Sequence, residues 1–135
     1  MGLTEKRAVQ QFKDSKFPSL KKEIDQAAGF EVPVEVKWDT LAADGYSHLY
    51  DECFPKVYFT PLCEAFKEIT KDQMGKDALK GSLKKIVLAN TKETYDSSGS
   101  TFDNGVLEIN LQPCTNVDEI DSRKQWIQEL VESKL

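Results

Sequence analysis

Histidine is nearly absent from this chain: His48 stands alone among 135 residues. A transition-metal site takes three or four protein ligands. His48 and Glu52, spaced i, i+4, fall short of one, and no HExxH pattern adds to them. Cysteine is scarce as well. Cys53, Cys63 and Cys114 are odd in number and contain no CxxC, so they do not read as a disulfide framework. Free thiols in a reducing cytosol are the expectation. A cysteine nucleophile would have to recruit His48 as its base. Cys53 follows that histidine on a different helical face, and core packing is the simpler account of all three thiols.

Long apolar runs are missing too. None approaches the ~20 residues of a membrane span, and residues 1–11 lack the apolar core of an export signal. A cytoplasmic protein with no membrane partner is expected. No glycine-rich phosphate loop is present: Ser97-Ser98-Gly99-Ser100 lacks the P-loop lysine and does not open a helix from a strand. That stretch reads as a mobile hairpin arm. No cofactor fingerprint occurs, so no cofactor is expected. No repeat, linker or low-complexity tract divides the chain, which predicts a single globular domain over 1–135.

What is present is charge, unevenly placed. The net charge is −5. Residues 1–37 sum to +1, 38–72 to −4, 73–92 to +4 and 93–135 to −6. An acidic balance argues against nucleic-acid binding, which draws its affinity from phosphate neutralisation. The one basic cluster, Lys76, Lys80, Lys84, Lys85 and Lys92, reads as a solvated helix face. A mosaic of this kind suits a protein partner or a homodimer.

Periodicity supplies the elements. Thr4 is placed to cap a first helix whose stripe begins at Val9 and Phe12. Phe17-Pro18 interrupts it and starts a second helix, which Gly29 stops. Phe30 to Trp38 alternates apolar and charged residues as a half-exposed strand does. Pro33 puts that strand on a sheet edge, either protected by Glu31, Pro33, Glu35 and Lys37 or used in a homodimer. Tyr46, Leu49, Tyr50 and Cys53 form a helical face that Phe54-Pro55 should end. Thr60-Pro61 should then cap a new helix striped by Leu62, Ala65, Phe66 and Ile69. Leu79 and Leu83 mark a shorter helix, and Ile86 to Ala89 a buried strand. Asn104-Gly105 is a hairpin signal, followed by a strand alternating at Leu107, Ile109 and Leu111. Asn116 and Glu119 have capping-box spacing before a last helix buried through Ile120, Ile127, Leu130 and Val131. Helices and strands are segregated along the chain. That predicts an α+β fold: a small antiparallel or mixed sheet of about four strands, with helices packed mainly on one face.

Without a catalytic motif, the first functional reading is a small non-catalytic interaction or accessory domain. The alternative is a small-molecule-binding domain with an aromatic, acidic pocket. An enzyme using carboxylates, such as Asp39, Asp44, Asp51 and Glu52, or a Cys–His pair comes third. Six of the thirteen aromatics fall within residues 46–66, inside the segment of charge −4. Tyrosine hydroxyls, apolar walls and carboxylates together suit a small polar or cationic ligand or a basic peptide. The candidate binding residues are therefore Tyr46, His48, Tyr50 and Tyr58, with Asp51 and Glu52 at the rim.

Overall fold

The computed structural model describes residues 2–135. Two helices lead the chain, α1 (Leu3–Ser15) and α2 (Phe17–Ala28), meeting at Lys16 with Pro18 in the first turn of the second. Gly29, at φ 87°, closes α2 in the left-handed region where a side chain is disfavoured. The expected cap Thr4 lies inside α1, whose N-cap is Gly2 and bears no side-chain bond. Burial of Val9 and Phe12, rather than capping, fixes that helix.

The first strand, β1 (Val34–Val36), is much shorter than the alternation of residues 30–38 suggests. Pro33 precedes it, and Trp38 turns instead into the short helix α3 (Trp38–Leu41). The sheet continues with β2 (Lys85–Ala89), β3 (Thr101–Asp103) and β4 (Val106–Asn110), in the order β1-β2-β4-β3. β1 and β4 both run parallel to β2, while β3 pairs antiparallel with β4, so the sheet is mixed and the fold is α+β. Asn104 and Gly105, at φ 53° and 82°, make the turn between β3 and β4.

Register decides which face is buried. Val34 pairs with Ile86 and Ile86 with Leu107, while Val36 pairs with Leu88 and Leu88 with Ile109. These six, with Phe102 opposite Leu107, point to the helices. On the opposite face Lys85 Nζ reaches Glu35 at 2.6 Å, across Val87. The polar segment after β2, read from the sequence as an arm, is tied to the sheet by hydrogen bonds. The Asn110 carboxamide oxygen accepts from the backbone N–H groups of Thr91 (3.0 Å) and Lys92 (3.2 Å), and the Thr94 hydroxyl donates to the Asn110 carbonyl (3.0 Å). One buried asparagine thus fastens the loop to the end of β4.

The middle of the chain overturns an expectation. A single-turn 3-10 segment (Ser47–Leu49), α4 (Tyr50–Phe54), a π turn (Pro55–Phe59) and α5 (Thr60–Ile69) form one unbroken helical rod. Neither Phe54-Pro55 nor Thr60-Pro61 stops or restarts it; Pro55 and Thr60 both hold right-handed helical dihedrals. A proline ring clashes with the carbonyl four residues earlier. Here the rod widens instead, and the Thr60 N–H donates to the Pro55 carbonyl five residues back. The reward is burial: Phe54, Val57, Tyr58, Phe59, Leu62, Ala65 and Phe66 are all fully enclosed. The wide turn presents three consecutive residues, Val57, Tyr58 and Phe59, to the interior. Phe54 and Phe59 meet Phe12 of α1 at ring separations of 5.1 and 6.3 Å, while the Tyr58 hydroxyl bonds the chain just beyond β4. The rod is therefore the axle of the core.

α6 (Gln73–Ser82) follows a tight corner, capped by Asp72, which accepts from the Gly75 N–H at 2.8 Å. A Cβ on Gly75 would lie 1.7 Å from the Ile69 carbonyl oxygen, so only glycine fits there. The last helix, α7 (Ile120–Glu132), packs on α5. The expected Asn116–Glu119 capping box does not form. Asn116 takes φ 52°, Glu119 is the N-cap without a side-chain bond to the helix, and the Glu119 N–H donates to the Asn116 backbone carbonyl (3.1 Å) rather than to its side chain.

Candidate functional site

The six residues singled out in the sequence divide into two groups. Tyr50 is buried, stacks on Phe54 at 4.7 Å, and exchanges two 2.9 Å hydrogen bonds with the backbone of Ala43. Tyr58 is buried too, and its hydroxyl donates to the Leu111 carbonyl. Burial raises the ionisation of both phenols above the usual tyrosine range. Their hydroxyls are thus spent on the protein's own backbone. Tyr46, His48, Asp51 and Glu52 are exposed. Glu52 pairs with Lys56 at 2.9 Å, and Lys56 also reaches Asp118 at 3.2 Å. None of the six lines the concavities described below. Among the described residues, no group of three or more His, Cys, Asp or Glu side chains is gathered to hold a metal ion.

Beside Tyr50 and Tyr58, the segment from Leu111 to Glu119 crosses the rod as a strap. Three fastenings hold it: Tyr58 to Leu111, Lys56 to Asp118, and Arg123 of α7. Arg123 is 1% exposed, and its guanidinium donates to the carbonyls of Asn116 (2.6 Å) and Thr115 (2.8 Å). Desolvation lowers its ionisation below the usual arginine value. A buried arginine in a helix of mixed polarity gave no sequence signal. Its role depends on two carbonyls that the left-handed Asn116 turns inward.

The largest of the described concavities lies elsewhere, between α2 and α5. It encloses about 410 Å³ and is lined by Glu23, Gln26 and Ala27 from α2 and by Thr60, Cys63, Glu64 and Lys67 from α5, with Thr70 closing one end. Two features of the sequence open it. Ala27 is small, and Thr70 at the end of α5 turns its hydroxyl onto the Ala27 carbonyl at 2.8 Å, setting how closely the helices approach. Glu23 and Glu64 stand on opposite walls, with Lys67 beside Glu64 at 3.4 Å. The Cys63 thiol forms part of the wall, 7% exposed, and burial followed by the Glu23 charge pushes it up to about 12. A smaller cleft of about 180 Å³ lies between the end of α2 and α6, where Phe30 meets Lys76 and Lys80.

The sequence reading missed the main groove because it is a two-helix feature. Its polar lining residues, Glu23, Gln26, Glu64 and Lys67, read as ordinary polar positions on each helix, and only the packing of α2 on α5 sets them opposite one another. No helix among the described residues is long and apolar enough to cross a membrane. Comparison of the chain with protein-family models, with curated proteins and with solved structures finds no match in any of them.

Proposed function

We propose that this is a non-catalytic interaction domain of the cytoplasm, and that the groove between α2 and α5 takes a basic segment of a partner protein. The observation that carries the reading is the pairing of Glu23 and Glu64 across a groove of about 410 Å³ whose walls include Ala27 and the Cys63 thiol. A lysine or arginine lays its aliphatic stem on apolar surface and offers its charged head to carboxylates. Two carboxylates against the single ammonium of Lys67 leave the groove acidic, in a chain of net charge −5. The test is an NMR titration with a short peptide of lysine and arginine at low salt. Amide shifts should cluster at Glu23, Gln26, Thr60, Glu64 and Thr70 and vanish in Glu23→Lys/Glu64→Lys. Shifts spread over the acidic residues 93–135 instead would reduce the effect to general charge attraction and end the reading.

The groove's volume favours a second reading, a small polar or cationic ligand in the same place, since such sites occupy roughly 300–1,000 Å³. An amine that raises the melting temperature and displaces the peptide would select it. A homodimer is a further form of interaction for the domain. The Val34–Val36 edge is only three residues long and is flanked by Pro33, which weakens strand addition as its route. A mass that stays monomeric at tens of micromolar would remove the dimer.

A further inference from the structure

The basic cluster of residues 76–92 is more than a solvated helix face. Two of its lysines, Lys76 and Lys80, line the cleft of about 180 Å³ between the end of α2 and α6. Gly29 and Phe30 from the end of α2 share the lining, with Gln73 and Asp77 from α6. Two glycines build this cleft. Gly29, at φ 87°, ends α2 and takes Phe30 off the helix. Gly75 lets the corner after α5 close, because a Cβ there would meet the Ile69 carbonyl oxygen. α6 therefore returns beside α2. Phe30 packs against the core and also forms part of the cleft wall. We propose that this cleft is a second docking place, opposite in sign to the groove between α2 and α5, and that it takes an extended acidic segment of a partner protein.

Charge carries the argument. Among the described residues no carboxylate forms an ion pair with Lys76 or Lys80, whereas Lys71, just before α6, is held by Glu68 at 2.9 Å. The nearby carboxylates already have partners. Asp72 accepts from the Gly75 N–H at 2.8 Å, and Asp77 accepts from the Gln73 carboxamide at 2.8 Å. Two ammonium groups against the one carboxylate of Asp77 leave the cleft basic. Spacing fits an extended ligand. Lys76 and Lys80 stand four residues apart on α6, about 6 Å along its axis. Carboxylates on alternate residues of an extended chain are about 6–7 Å apart, so one such pair can meet both lysines. Phe30 supplies an apolar surface for a neighbouring aliphatic side chain. The rest of the chain selects a short peptide over a longer polyanion. Residues 93–135 sum to −6 and the groove on the other side of α2 carries Glu23 and Glu64, so a nucleic acid would meet repulsion beyond the cleft.

The experiment is an NMR titration of the full chain, at low salt, with a short peptide in which glutamate alternates with alanine around one leucine. Amide shifts should gather at Gly29, Phe30, Gln73, Lys76, Asp77 and Lys80. The same peptide with glutamine in place of glutamate should leave these amides unmoved. Lys76→Glu/Lys80→Glu changes two exposed positions and should weaken binding about tenfold. Lys76→Gln/Lys80→Gln should weaken it less. Glu23→Gln/Glu64→Gln removes the charge of the other groove and should leave the acidic peptide bound, so the two docking places stand or fall separately. A glutamate peptide that moves none of the cleft amides would overturn the proposal. So would equal affinity for the wild-type protein and Lys76→Glu/Lys80→Glu, or equal binding by the glutamine peptide. Tighter binding of a single-stranded oligonucleotide or of anionic vesicles at the same residues would also overturn it, by making the cleft a general polyanion site.

Discussion

The phenol of Tyr58, inside the π turn of the central rod, donates its hydroxyl hydrogen to the carbonyl of Leu111, just past the end of β4. Both residues are fully buried. This bond couples the widest turn of the helix to the point where the chain leaves the sheet. Tyr58→Phe keeps the ring and removes only the donor, leaving a carbonyl without its partner. It should cost about 1–3 kcal/mol. Chemical denaturation at neutral pH measures it, and an unchanged midpoint would mean that the strap is held without this bond.

Arg123 tests the other end of the strap. Its two bonds to Thr115 and Asn116 are made by a charged donor in a buried place. Hydrogen bonds of that type are worth roughly 1.5–3 kcal/mol each. Arg123→Ala should lower stability by at least one such bond and speed amide exchange at residues 115–119. Arg123→Lys should fall between, because an ammonium cannot span both carbonyls as the planar guanidinium does. Equal stability of all three proteins would show the arginine to be dispensable.

The interface between α5 and α7 rests on packing alone. Phe66 and Ile127 have no solvent exposure. Replacing either by alanine should cost roughly 2–5 kcal/mol, the sum of lost burial and a residual cavity. Denaturation midpoints that barely move in both variants would place the core elsewhere.

Alkaline pH should destabilise the protein through its thiols. Cys63 and Cys114 are raised from 9.0 to about 12 in the folded state. The folded protein thus keeps protons that the unfolded chain releases above its own thiol pKa. The stabilisation is complete below about pH 9 and is lost progressively as pH climbs towards 12. Denaturation midpoints measured from pH 7 to 10.5 should decline above pH 9, less steeply in Cys63→Ala. A decline of the same steepness in that variant would exclude Cys63 and assign the effect to Cys114 and the buried tyrosines.

Much of the fold was legible locally. Gly29 stops α2, Asn104-Gly105 turns the hairpin, and the stripe Leu62, Ala65, Phe66 and Ile69 is buried as its spacing required. Each of these signals acts over a few residues, through backbone sterics or helical period. The prolines of the rod misled for the same reason. Pro55 and Pro61 carry a local preference to break a helix, and the enclosed rings of Phe54, Tyr58, Phe59 and Phe66 outweigh it through a widened turn. Asn116 and Glu119 had the spacing of a cap, but the Glu119 N–H donates to the Asn116 backbone carbonyl, which also accepts from Arg123, instead of to the Asn116 side chain.

The sequence by itself determined the α+β class, the buried strand β2, the hairpin and the acidic character. Composition and short-range geometry are enough for these. Only the tertiary structure decided that Tyr50 and Tyr58 spend their hydroxyls inward, that Glu23 faces Glu64 across a groove, and that Arg123 clasps Thr115 and Asn116. The groove partners lie on separate helices, and Tyr58 and Leu111 lie 53 positions apart along the chain. Such encounters are fixed by how the stripes of the rod pack between the leading helices, the sheet and α7. No pattern within one segment encodes that packing, because it depends on the shapes of every buried side chain at once.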